Sequence, residues 1–143
     1  MDLFSAMKIS SSGMSLQRVR MNTISSNLAN INTTRTAEGG PYRRKMAVSE
    51  AAPVEGANFA DALDHSIRQV KTVEIKEDKA PPRLVYDPSH PDADERGYVA
   101  MPNINLMEEM VDMINASRAF EANAAAARNA RNMAQRALEL GQR

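Results

Sequence analysis

Apolar residues recur at helical spacing along both ends of the chain and thin out between them. From Leu3 to Ile31, Met7, Met14, Met21 and Leu28 return every seven residues, with Leu3, Ile24 and Ile31 at the companion position of the same seam. Ser10 and Gln17 occupy that companion position in the middle, and Ile9, Leu16 and Val19 lie off it. A seam broken in this way predicts a helix touched by several neighbours rather than one strand of a two-stranded zipper.

A second proline-free run extends from Leu106 to Leu140, roughly 50 Å if helical throughout. Asn105 is placed to cap its first turn, with Glu108 as the reciprocal arm of a capping box. Glu109 and Asp112 near the start and Arg128, Arg131 and Arg136 towards the end suit the helix dipole. Met107, Met110, Val111 and Ile114 make an aliphatic first half. Beyond them Ala116, Ala119, Ala122, Ala126, Ala130, Met133, Ala137 and Leu140 form a mostly small stripe, beside a row of Phe120, Ala124, Ala127, Ala134 and Leu138. Each alanine buries little area, but small side chains let other helices approach closely on more than one side.

The pattern changes at Asn30, where NINTTRTAEGGP strings together residues that end helices and bend chains, and the first boundary falls near residue 32. Asn30 and Asn32 are expected to adopt the left-handed conformation or bond local backbone, closing the helix. Alternation predicts a strand from Tyr42 to Glu50, with Met46 and Val48 on one face, followed by the loop AAPVEGAN. Phe59, Leu63, Ile67 and Val70 have the spacing of a short helix, whereas KTVEIKE alternates as a strand that Pro81 and Pro82 close off. RLVY and GYVAM are two more short strands bracketing the turn-rich DPSHPDADER. The expected class is therefore α+β: long terminal helices over 1–32 and 103–143 flanking a small β-rich unit over 33–102.

Composition narrows what such a chain does. Of 143 residues 43% are hydrophobic, a figure inflated by alanine, while aromatics make up 4%, so a large private core is not expected. The formal charge is zero, which gives no reason to expect nucleic acid or an anionic membrane surface as partner. The absence of cysteine excludes disulfides, thiolate metal sites and thiol nucleophiles. No apolar run approaches the roughly 18 residues that span a bilayer, so direct membrane insertion is not expected. MDLFSAMKISSSGM lacks the continuous apolar core of a secretory signal, so export would use a route without one.

Candidate chemistry is sparse. His65 and His90 lie in no metal-ligand spacing. Asp87, His90, Asp92, Asp94 and Glu95 cluster, but the calcium-loop template is absent and Asx and proline turns explain them more simply. Gly39 and Gly40 lack a phosphate-loop context and read as a turn before Pro41. The basic YRRK, Tyr42 to Lys45, is isolated and balanced by acids, as on a solvated strand edge. No catalytic residue, cofactor or metal is expected.

What lifts the reading above helical ends and a β middle is ISSNLANINTTRT. Ser26, Asn27, Leu28, Ala29 and Asn30, followed by Asn32 and Thr33, resemble the signature at this place in the axial proteins of the bacterial flagellum, the rod and hook proteins. GGPYRRK, PPRLVYDPSHPDADERGYVAMPN and NINLMEEMVDMINASRAFEAN are similar to a proximal rod member of that family, so the resemblance covers nearly the whole chain. It departs over Ala51 to Ile67 and in the alanine-rich end of the second helix. The resemblance implies a structural subunit, not an enzyme, whose terminal helices pair in a coiled-coil-like inner α domain and stack helically with copies of itself and other proximal rod proteins around the flagellar export channel. It further implies contact with the adaptor between rod and membrane ring, and export by the flagellar type III apparatus without a cleaved signal into a rod spanning the periplasm. The residues expected at subunit interfaces are Leu3, Met7, Met14, Met21, Ile24, Leu28, Ile31, Met107, Met110, Val111, Ile114, Phe120, Ala126, Met133 and Leu138. On the stripes alone, a helical adaptor or export chaperone is the alternative.

Overall fold

In the computed structural model, which describes residues 3–53 and 68–141, the proline-free start of the chain is one helix, α1 (Leu3–Ala29). Its hydroxyls bond back into the preceding turn: Ser10 Oγ donates to Ala6 O at 2.9 Å, Ser12 Oγ to Ile9 O at 2.8 Å and Thr23 Oγ1 to Val19 O at 2.9 Å. Asn30 closes the helix with its side chain, Nδ2 donating to Ser26 O at 2.8 Å while Oδ1 accepts from Thr33 Oγ1 at 3.1 Å. The expected left-handed backbone is not used there. Among the described residues positive φ belongs only to Gly39, Gly40 and Gly97.

The second long helix, α2 (Leu106–Gly141), begins where Asn105 caps it: Met107 N–H donates to Asn105 Oδ1 at 3.0 Å, with Glu108 left exposed. The two helices run antiparallel. Asn27 near the end of α1 bonds Glu109 near the start of α2, and Gly13 abuts Asn123 so closely that a Cβ on Gly13 would lie 2.9 Å from Asn123 Nδ2. These two contacts lie fourteen residues apart on each helix, and the register between them sets exposed Arg20 level with Ala116 across the cleft. The same register carries Ala6 to the level of buried Ala130. The α1 row precedes Met14, Met21 and Leu28 by one residue, a rotation of about 100° around the helix. Small and polar side chains meet along this row, with the buried Leu16, Thr23 and Ile24 of α1 beside it. The methionine row lies beside it, half-buried.

Two small antiparallel sheets complete an α+β architecture. β1 (Lys45–Pro53) pairs with β2 (Arg68–Glu77), with an irregularity between Val48 and Ser49. This hairpin packs on α1, where Val70 N–H donates to Ser12 Oγ at 3.2 Å. β1 begins at Lys45 rather than Tyr42. Val70 is a strand residue rather than the end of a helix, and the other residues of that expected helix lie outside the described ones. β3 (Arg83–Tyr86) pairs with β4 (Tyr98–Met101), as alternation predicted. The Tyr86 and Tyr98 rings meet edge to face at 5.3 Å. Gly97 takes φ +80° beside Tyr86, where a Cβ would come within 2.9 Å of the ring.

Among the described residues, buried apolar side chains are few: Leu16, Ile24, Tyr42, Val99, Ile104, Ala116 and Ala130. Pro102 and Ile104, both buried, lead from β4 into α2. Among the described residues no helix is long and apolar enough to cross a membrane.

Candidate functional site

Where α1, the start of β1 and the start of α2 converge, the buried side chains are polar. Asn27 is 1% exposed, and its amide is fully bonded. Its Oδ1 accepts from Lys45 N–H at 2.9 Å and from Tyr42 Oη–H at 3.1 Å, while Nδ2 donates to Lys45 O at 2.9 Å and to Glu109 Oε2 at 3.0 Å. The pair of bonds to Lys45 copies what a neighbouring strand would supply, so a helix side chain starts β1. Because the Tyr42 proton goes to Asn27, the 3.1 Å contact between Ser26 and Tyr42 has the Ser26 hydroxyl as donor.

Glu109 is also 1% exposed, and its second oxygen accepts from Arg44 Nε at 2.6 Å. Arg44 is one-quarter exposed and lies 3.7 Å from the outer carboxylate of Asp112. A buried carboxylate with a guanidinium on one oxygen and an amide on the other satisfies the condition for holding a charge out of water. The YRRK segment is thus not a solvated strand edge. Tyr42 is buried and Arg44 is spent on Glu109, while Arg43 faces solvent and Lys45 sits 5.7 Å from the Tyr42 ring centre.

The signature residues take distinct places in this clasp. Ser26 and Asn27 belong to it, and Asn30 and Thr33 tie off the helix end, with Thr33 O accepting from Tyr42 N–H at 3.0 Å. Leu28 is half-buried, whereas Ala29 and Asn32 are exposed. Beside the clasp lies a polar cleft of about 560 Å³ between α1, β1 and α2. Arg20, Arg44 and Asn115 line it, and so does Gln17, whose Oε1 is buried with no partner among the described residues.

On the far side of α2 the polarity is reversed. Glu109 and Ala116 point inward, while Met107, Met110, Val111 and Ile114 are exposed, Met107 to 66%. Met133 and Leu138 are exposed as well, and the register places residues beyond Met133 past the start of α1, an overhang of about 12 Å. Of the other expected interface residues, Ile24 is buried, Met7, Met14, Met21, Leu28, Ile31 and Phe120 are half-buried, and Ala126 is exposed. The Leu3 side chain lies outside the described ones.

The acidic loop is built from turns. Asp87 Oδ1 accepts from Ser89 Oγ at 2.6 Å and Ser89 N–H at 3.1 Å, and Asp94 Oδ1 accepts from the N–H groups of Arg96 and Tyr98. The Ser89 hydroxyl, then its N–H and the nearby His90, hold the Asp87 carboxyl below the ordinary carboxylate range. Asp92 accepts from Thr34 Oγ1 at 2.8 Å, tying this loop to the chain just after α1. His65 falls outside the described residues.

Among the described residues this geometry brings no nucleophile, base and oxyanion donor together, but it does organise two helices and a strand around one amide. Residues 7–35 match the family described as flagella basal body rod protein, and residues 95–140 match the flagellar basal body rod FlgEFG protein C-terminal family. The first stretch spans most of α1 and the signature, and the second spans nearly all of α2. The flagellar basal-body rod protein FlgC of Borreliella burgdorferi is 45% identical, with 98% of each chain covered. That of Bacillus subtilis is 40% identical over 99% of each, and that of Escherichia coli 36% identical over 99% of this chain and all of its own. The chain therefore belongs to the flagellar basal-body rod proteins, and within them to the FlgC group, structural subunits of the rod.

Proposed function

We propose that the chain assembles through its terminal helices into the proximal rod, the helical drive shaft around the export channel. The observation that carries this reading is the reversed polarity of α2, whose outward row of Met107, Met110, Val111 and Ile114 is apolar while its inward row is small and polar. An ordinary surface helix has the opposite arrangement, and a contiguous exposed apolar row marks an interaction face. Gln17 Oε1, a buried acceptor beside the cleft, and the thin private core agree with a subunit that completes its packing on neighbours.

In this reading segments 1–32 and 103–143 form a coiled-coil-like inner α domain and 33–102 faces outward. The partners are copies of the chain, other proximal rod proteins, the adaptor to the membrane ring and, during export, the flagellar type III apparatus. The subunit crosses into the periplasm without a cleaved signal. A head-to-tail helical contact lets one surface recur without closing into a small ring.

The test is Val111→Asp. Val111 is 54% exposed, so the substitution should leave the isolated chain's stability within about 0.5 kcal/mol, yet remove it from basal bodies by setting a charge in an apolar interface. Mass spectrometry of isolated basal bodies reads the result. Stoichiometric incorporation of the variant would sink the proposal, and absence of even the native chain would favour an adaptor or export chaperone.

A further inference from the structure

We propose that the buried hydrogen bond between Asn27 and Glu109 sets the register of the helix pair, and so fixes how far along the subunit the outward apolar row of α2 stands. The register is a property of the single chain, whatever it assembles into.

The helix contact is poor in steric information. Slide α2 along α1 by one seven-residue repeat, about 10 Å, and Gly13 meets Ala130 instead of Asn123, Arg20 meets Asn123 instead of Ala116, and Ala6 meets Ala137. Each of these pairings sets small or polar beside small or polar. Arg20 then sets a Cβ against Asn123, where Gly13 has none and a Cβ would lie 2.9 Å from Nδ2. The Asn123 amide, the end of a flexible side chain, must rotate away, so shape opposes the slip only weakly. Along α2 the buried apolar residues are alanines, Ala116 and Ala130, so apolar burial bears on the register mainly through Leu16 and Ile24 of α1.

Asn27 and Glu109 distinguish them. Two bonds to the Lys45 backbone and one from Tyr42 hold the Asn27 amide in place independently of α2. The remaining N–H points across the interface, where Glu109 Oε2 lies at 3.0 Å. In the slipped register Asn27 faces Ala116, which carries no acceptor, and Glu109 leaves both Asn27 and Arg44. The Asn27 N–H is then buried without a partner, and Glu109, carried beyond the end of α1 at Ala29, loses its pairing with Arg44. A polar residue at one seam position is the best-attested device for selecting register in helix pairs. Asn27 and Glu109 act here as positioning residues.

The chain has no cysteine, so engineered thiols report without background. Paired Gly13→Cys and Asn123→Cys substitutions sit close enough for a disulfide in the native register, whereas Gly13→Cys with Ala130→Cys joins only the slipped one. With Asn27 and Glu109 intact, mild oxidation of the full-length purified chain should link the first pair and not the second. Asn27→Leu should raise the yield of the slipped link at least tenfold. Glu109→Leu, which leaves Asn27 tied to Lys45 and Tyr42, should do the same, and it carries the test if Asn27→Leu does not fold. Exclusive native linking in both variants would overturn the proposal and assign the register to buried Pro102 and Ile104. Loss of both links in both variants would overturn it too, since the bond would then be needed for pairing itself rather than for choosing a register.

Discussion

Replacing Arg44 with methionine tests whether the Glu109 charge is held by its partner or merely decorated by it. The bond is 2.6 Å long and the carboxylate is 1% exposed, so Arg44→Met leaves a buried charge with one neutral amide donor. Removing one member of a buried ion pair costs 3–5 kcal/mol in general; solvent reaches Arg44, which places this case near the low end, about 3 kcal/mol. An ordinary surface pair would register under about 1 kcal/mol, so the two descriptions are separable. Adding Glu109→Gln to Arg44→Met removes the charge while keeping an acceptor for Asn27. That second substitution should return about 2 kcal/mol, leaving a net loss of about 1 kcal/mol for the missing hydrogen bond. The contact of Arg44 with Asp112, 3.7 Å long and solvent-facing, adds little to either figure. Urea unfolding followed by circular dichroism on the native chain, both single variants and the double gives the coupling directly. A cost below 1 kcal/mol for Arg44→Met, or no recovery in the double variant, would refute the reasoning.

Two further outcomes concern the β3–β4 hairpin and its loop. Gly97→Ala sets a Cβ at positive φ and 2.9 Å from the Tyr86 ring, so it should cost about 1–2 kcal/mol in urea unfolding and displace the Tyr86 and Tyr98 ring resonances; unchanged ring shifts would contradict the packing described. Asp87 should titrate below a free aspartate by carboxyl NMR, and Ser89→Ala should raise its midpoint, the Ser89 hydroxyl being the leading cause. Since the folded value is the lower one, the stabilisation from this group is complete above the ordinary carboxylate range and disappears as pH falls through the depressed midpoint.

The long elements were legible because their signals are local. Asn105 bonds Met107 as a cap, the Asn- and Thr-rich NINTT ends α1, and alternation marks β3 and β4. The errors have equally local causes. Val70 shares helical spacing with Ile67, yet its N–H serves Ser12 from a strand. Tyr42 looked like the first strand residue, but it is committed to Asn27 and Ser26. A search for apolar periodicity follows Met14 and Met21 and passes over Gly13 and Asn27, one residue round the helix, where α1 meets α2. The seven-residue repeat of Glu109, Ala116, Asn123 and Ala130 was present in the sequence, but it carries no hydrophobic signal. Asn27 itself stood out only through the family signature. Its partners lie far along the chain, where no local rule reaches.

The two directions in which the Asn27 amide reaches also order the events of folding. Lys45 is 18 residues away and Glu109 is 82. Closing the longer loop costs about 1.3 kcal/mol more chain entropy than closing the shorter, so α1 and the start of β1 can come together while α2 is still free. The late-arriving helix finds its docking acceptor and donor already arranged, because Lys45 and Tyr42 have oriented the amide and brought Arg44 alongside. α2 is correspondingly the element expected to leave first under stress, and native-state hydrogen exchange should release its amides before those of α1 and the start of β1.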